Sequence, residues 1–265
     1  MGLDESAWRR DGDAYVIDWA GTTWRLAVDE GRVGLRREGS RGLFLALTGL
    51  AAQGRREDGV FRDGVAEIVH GRLAASFEPE GWHDLSVRAA WGRSQDGRGI
   101  DLEVQASAAS VGRLRQLEIL VATDPEGSAG APLHRATVEP RDRLTAASSY
   151  DGRESIETLQ RLTTLAIPAR DAIRYPSVGW TAEELGGNQA YLEMVHPDDV
   201  ARRIRQDSRG YLSVRYALFG YDLERGVVLR ARFRGLFFPV ALPDADREAE
   251  ERTRFLSEPP PLRTD

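Results

Sequence analysis

Two acids two residues apart, Asp222 and Glu224, stand in the stretch "GYDLERGVVLRARFRG" (220–235), beside Tyr221 and ahead of Arg230, Arg232 and Arg234. Paired carboxylates are the groups that glycoside hydrolysis uses, one as acid and one as nucleophile or base. Arginine's rigid fork suits carboxylates and hydroxyls, so a row of arginines fits an anionic or polyhydroxylated ligand. Same-face neighbours on a strand lie about 7 Å apart, and three like charges at that spacing repel unless acids or water screen them. Asp101 and Glu103 alternate outward on an earlier strand in the same way. A solvated face with cross-strand ion pairs explains the arginines equally well, and acids at a turn are often turn residues only.

A second cluster is "YLEMVHPDDV" (191–200), with Glu193, His196, Asp198 and Asp199. A carboxylate or histidine here could serve as general acid or base. Proline in a first turn followed by acids is also how a helix begins, with no chemistry implied.

Other chemistries are excluded or unsupported. The chain has no cysteine, and its 36 Lys+Arg residues are all arginine, so thiolate, disulfide and lysine Schiff-base chemistry are absent. There is no Gly-rich phosphate loop and no Gly-x-Ser-x-Gly. The four histidines show no paired metal-ligand spacing, so neither a metal nor another cofactor is expected. A formal net charge of -6 speaks against nucleic acid and against a polybasic membrane anchor. With no apolar run of spanning or signal length, the expectation is a cytoplasmic protein with no membrane contact.

The elements that must position these residues read as strands. "AYVIDW" (14–19), then "TWRLAVDEGRVGLRRE" (23–38) turning at Asp29-Glu30-Gly31, alternate apolar and polar residues. "LFLALTGL" (43–50) reads as a central strand, and 65–79 as one or two more. "HDLSVRAAWGR" (83–93) and "IDLEVQASA" (100–108) flank an Asp-Gly turn as a hairpin, with "RLRQLEILVATD" (113–124) as a third neighbour. "YLSVRYALFGY" (211–221) and "GVVLRARFRGLFF" (226–238) read as a hairpin around "DLERG". Helices are expected at 181–187 and 196–210, and 154–167 fits helix or strand.

The fold class is therefore mainly β: an antiparallel β-sandwich or supersandwich with a few short helices in the connections. Residues 1–243 are read as one large domain with a soft internal boundary near 124–152, and 244–265 as a solvated helix and tail. The apolar run "LFFPVALP" (236–243) is a candidate interface edge and leaves a homo-oligomer open.

Two resemblances add to this. The segment "GWTAEELGGNQAYLEMVHPDD" (179–199) resembles a PAS sensor segment, which implies a non-catalytic sensor or interaction protein. The whole chain, with Trp82 and Trp91 in its meander, a long loop and a late strand pair, resembles the galactose-mutarotase-like supersandwich in architecture. That resemblance implies a carbohydrate-binding or carbohydrate-processing protein with a small-molecule or oligosaccharide ligand. The family's histidine-containing catalytic signature is not found, so mutarotase activity is not implied. On this reading Asp222 and Glu224 are the candidates for catalysis, and Trp180, Tyr221 and Arg230 for ligand contact. A structural β-domain assembled into an oligomer is the third reading.

Overall fold

A computed structural model of the chain describes residues 8–82, 84–109, 113–125, 136–140, 178–181, 185, 189–208, 211–239 and 241–258. The expectations for 154–167 and most of 124–152 and 181–187 lie outside the described residues.

The alternation of apolar and polar residues folds as two antiparallel sheets. Strands β1 (Arg9–Asp11), β2 (Ala14–Trp19), β3 (Thr22–Asp29), β4 (Arg32–Arg37) and β5 (Leu43–Ala52) form a meander, and β6 (Arg55–Asp58) returns along β5. A second meander follows: β7 (Val65–Val69), β8 (Arg72–Phe77), β9 (Leu85–Arg93) and β10 (Gly99–Ala108). Then come β11 (Arg113–Asp124), β12 (Ala136–Pro140), β13 (Val178–Trp180), β14 (Gln189–Val195), β15 (Val200–Ser208), β16 (Tyr211–Glu224) and β17 (Val228–Pro239). Helix α1 (Ala245–Ser257) closes the described chain. Sheet I runs β1-β2-β3-β4-β5-β11-β16-β15-β12 with β6 beside β5, and sheet II runs β13-β14-β17-β10-β9-β8-β7.

Short hairpins turn through residue pairs that end in glycine. Ala20-Gly21, Glu30-Gly31, Gln53-Gly54 and His70-Gly71 all have positive φ at both positions. Two left-handed residues in a row match the twist of the flanking strands, and glycine takes the second at no steric cost. The Glu30-Gly31 turn lies where the sequence placed it.

The core lies between the sheets. Ile100, Leu102, Val104 and Ala106 of β10 and Leu117, Ile119 and Val121 of β11, all fully buried, belong to it. Every residue of β5 is buried, as a central strand requires. The mainly-β sandwich expected from the sequence is observed.

Four connections differ from expectation. β11 is not a third neighbour of β9 and β10; it pairs with β5 and β16 in sheet I. β16 and β17 are not a hairpin: β16 pairs with β11 and β15, whereas β17 pairs with β10 and β14 in sheet II. The "DLERG" segment is thus an arch between sheets. Alternation reports which face of a strand is buried, and that pattern is the same whether two successive strands pair in one sheet or face each other across the core. Residues 196–210 form not a helix but a 3-10 turn, Pro197–Asp199, followed by β15. Val200 is fully buried and pairs with Leu218, so sheet pairing outweighs the helix-like order of charges. Finally, the strands of the PAS-like segment belong to sheet II together with β7–β10, so among the described residues there is no separate small sheet, and the PAS-like reading is set aside.

Candidate functional site

The sandwich has two ends, and the residues with chemical potential divide between them. At the arch end, Tyr221, Asp222 and Glu224 finish β16 in sheet I and Arg230 begins β17 in sheet II. Tyr221 is 37% exposed, and Glu224 and Arg230 are exposed as well. The Tyr221 hydroxyl donates to the carbonyl of Asp198 at 3.4 Å. Asp222 has a local structural role, its Oδ1 accepting from the backbone N–H of Gln116 at 2.9 Å. Gln116 has φ 53 and lies where the β11–β16 register shifts, so the carboxylate satisfies a donor that the ladder leaves out.

Trp180 is not part of this group. It pairs with Tyr191, which pairs with Phe237, seven residues along β17 from Arg230 and therefore about 23 Å away along the strand. Its ring is 1% exposed and packs on Tyr191 with centroids 5.4 Å apart. Four of the five sequence candidates thus lie beside the arch, three on β16 of sheet I and Arg230 on β17 of sheet II, and the fifth is in the core.

The other end holds Glu193, on the inward face of β14. It is fully buried between the sheets. Its Oε2 accepts from Thr123 Oγ1 at 2.5 Å and from the Tyr191 hydroxyl at 3.0 Å. The Thr123 hydroxyl in turn accepts from the backbone N–H of Leu45 at 3.0 Å. Leu45 has φ 48, and its carbonyl accepts from Trp91 Nε1 at 3.0 Å. A continuous polar chain therefore joins β9, β5, β11 and β14 across the core. Glu193 Oε1 is buried and has no hydrogen-bond partner. Burial pushes the Glu193 carboxyl up to about 7, against the pull of its Thr123 and Tyr191 bonds. Tyr191 is raised well above its usual range by the same burial and by the neighbouring carboxylate. A carboxyl in this state exchanges its proton near neutrality. Both donors approach Oε2.

The rest of the second sequence cluster is structural. His196 Nδ1 accepts from the backbone N–H of Asp198 at 3.3 Å. Asp199 Oδ2 accepts from the backbone N–H of Arg232 at 3.1 Å. Burial holds His196 below its ordinary value, Asp198 opposing and Arg232 adding to the effect. The "HPDD" turn thus ties the crossing from sheet II to sheet I onto β17.

The arginine face divides as well. Asp101 lies opposite Arg234, Glu103 opposite Arg232, and Gln105 opposite Arg230. The expected cross-strand acids are present, but most of the face is covered rather than solvated. Arg234, 2% exposed, donates to both oxygens of Asp101 at 2.6 and 2.8 Å and to both of Glu258 at 2.7 and 2.6 Å. Burial works against its charge, yet the Asp101 and Glu258 bonds more than offset this and hold it above its ordinary range. Arg232 lies with its guanidinium 4.5 Å from the Phe255 ring centroid and donates to the Phe255 carbonyl at 2.6 Å. Burial raises Glu103, and Asp101 adds to that, while its ion pair with Arg72 pulls the other way. The cover is helix α1, so that helix is solvated on one side only. Its Phe255 also packs with Leu192, Met194, Leu236 and Phe238, so Leu236 and Phe238 of the run expected as an interface edge are covered by the chain itself.

Among the described residues, no group of three or more His, Asp or Glu could hold a metal ion, and no helix is long and apolar enough to cross a membrane. Glu193 is visible in the sequence as one of four clustered polar residues. What singles it out is its inward register between Tyr191 and Val195, which only the pairing with β17 fixes.

No protein-family model matches the chain, and no curated protein matches its sequence. Solved structures share its shape. The α-N-acetylgalactosaminidase NagBb from Bifidobacterium bifidum, in complex with GalNAc, is 14% identical with a TM-score of 0.53, over 91% of this chain and 38% of that one. A GH36 α-galactosidase, AgaB from Geobacillus stearothermophilus, is 7% identical with a TM-score of 0.48, over 89% of this chain and 41% of that one. A putative aldose 1-epimerase from Escherichia coli K12 is 9% identical with a TM-score of 0.44, over 85% of this chain and 99% of that one. The first likeness carries the fold; the other two are looser. This chain spans well under half the length of NagBb. Its two large antiparallel sheets, packed face to face, are the β-sandwich fold that the likeness to NagBb supports.

Proposed function

We propose that this chain is a carbohydrate-recognising β-sandwich and that it binds sugar at the arch end, through Tyr221, Glu224 and Arg230 with Asp222 beside them. The observation that supports the reading is their place in the chain. An exposed aromatic and two acids end β16, and an exposed arginine follows near the start of β17, on either side of the short arch between those strands. An aromatic face for the sugar ring, with charged groups for its hydroxyls, is the usual make-up of such a site. The fold likeness to a galactosaminidase supports a sugar ligand, although a fold by itself does not fix a function.

Recognition fits this geometry better than hydrolysis does. One oxygen of Asp222 is committed to the Gln116 bulge, which ties that carboxylate to the backbone. A hydrolytic role for the Asp222–Glu224 pair is the finer form of the same proposal. It predicts release of reducing sugar from an oligosaccharide in addition to binding.

The test is a panel of neutral and acidic mono- and oligosaccharides, read by thermal shift and calorimetry on the wild type and on Tyr221→Ala and Glu224→Gln. At least one sugar is expected to stabilise the wild type, with affinity at least tenfold weaker in both variants. A panel in which no sugar binds, or variants that bind as well as the wild type, would remove the proposal.

A further inference from the structure

On the outer face of sheet I, opposite the core, four arginines converge on a trough. The strands beneath them, β5 and β11, place Ala46 opposite Ala122 and Gly49 opposite Leu120. Arg215 stands on β16 opposite Ala122. From there its Nη1 reaches Asp58 Oδ2 of β6 at 3.4 Å, crossing over the lanes of β11 and β5. Arg32 and Arg36 of β4 and Arg56 of β6 approach from the opposite wall.

The acids there do not match the arginines in number or in depth. Arg32 and Arg36 share one oxygen of Asp29, at 3.0 and 3.3 Å. Arg56 and Arg215 share Asp58, at 3.2 and 3.4 Å. Glu30 adds a contact at 3.9 Å from the rim, 80% exposed. The arginines lie deeper than the acids they share: Arg215 is 17% exposed against 51% for Asp58. Arg36 Nε is buried with no hydrogen-bond partner. Burial holds the Arg215 guanidinium below its ordinary range, with Asp58 opposing and Arg56 and Arg32 adding to the effect. Like charges gathered and partly stripped of water are costly, and the cost is relieved when an anion joins them. In a chain of formal net charge -6, this local excess of positive charge stands out.

We propose that the trough is a binding site for an oxyanion: the carboxylate, sulfate or phosphate group of a small anionic ligand. Arg36 and Arg215 supply forked N–H donors from opposite walls, and Arg32 and Arg56 add field. The site lies on a different face from the arch end and does not depend on the sugar reading.

The test is calorimetric titration of the whole chain with inorganic phosphate, inorganic sulfate and glucuronate, each against chloride at equal low ionic strength. Saturable binding of at least one is expected, weakened at least tenfold by Arg36→Gln and by Arg215→Gln. The three arms separate a free inorganic anion from a sugar-borne carboxylate. Should Arg215→Gln fail to fold, Arg36→Gln and Arg56→Gln read the same interaction from the other wall. The proposal is overturned if none of the three binds beyond chloride, or if Arg36→Gln binds as the wild type does.

Discussion

Replacing Glu193 by glutamine isolates what a proton does between the sheets. The side chain is fully buried, and its carboxyl is raised from an ordinary 4.5 to about 7. Below 4.5 the folded and unfolded chains both hold the proton, and the group has no effect on stability. Between 4.5 and about 7 the unfolded chain releases it while the folded chain keeps it, so stability falls as pH rises. Above that window the loss is complete. A gap of this size at 1.36 kcal/mol per unit corresponds to about 3 kcal/mol. Glutamine keeps an oxygen to accept from Thr123 and Tyr191 and cannot ionise. It also places an amide where Oε1 has no partner, a pH-independent cost of about 1–3 kcal/mol. Urea unfolding of both proteins at about pH 4 and about pH 8 separates the two effects. The stability of the variant relative to the wild type is expected to improve by about 3 kcal/mol between the two conditions, whatever its offset. Parallel pH profiles for the two proteins would refute the reasoning, because they would mean that Glu193 titrates alike folded and unfolded.

Two other substitutions test the packing. Arg234→Gln leaves Asp101 buried opposite a neutral group and frees Glu258 from its latch, so urea unfolding should show a loss of about 3–5 kcal/mol, partly recovered when Asp101→Asn is added. Trp180→Ala opens a cavity beside Tyr191 and should cost about 3–5 kcal/mol by the same measurement, while any sugar affinity measured below the unfolding transition stays as in the wild type.

Much of this fold can be read from period-two alternation, because strands buried on one face must repeat that way. Ile100, Leu102, Val104 and Ala106 are fully buried, and their partner strand turns at Asp96-Gly97. What alternation does not carry is the identity of the hydrogen-bonding neighbour. β11 and β17 show the same pattern in either sheet, so proximity in sequence assigns both to the wrong partner. Charge order misleads at β15, where acids followed by arginines suit a helix dipole and a strand equally. On the arginine face, the opposing acids Asp101 and Glu103 are readable from their own alternation. The covering helix is not, since Phe255 is the one large ring on an otherwise charged segment, and its target lies on strands far away in sequence. Asp222 looks catalytic in the sequence because acids beside arginines invite that reading. Its bond to Gln116 depends on a bulge 106 residues earlier, which no local pattern announces.

The strand order also dictates when the molecule can close. β10, ending at Ala108, takes β17, beginning at Val228, as its neighbour, and β5 waits for β11. During synthesis the first four strands of sheet II therefore present an open edge along β10 until more than a hundred further residues have emerged. Such distant pairings must meet the entropy of closing long loops before they gain stability. The cost falls late, because sheet II and the buried Arg234–Asp101 contact complete together when β17 arrives. Chains that stop short of β17 should accumulate as aggregation-prone, half-built sheets rather than as smaller folded domains.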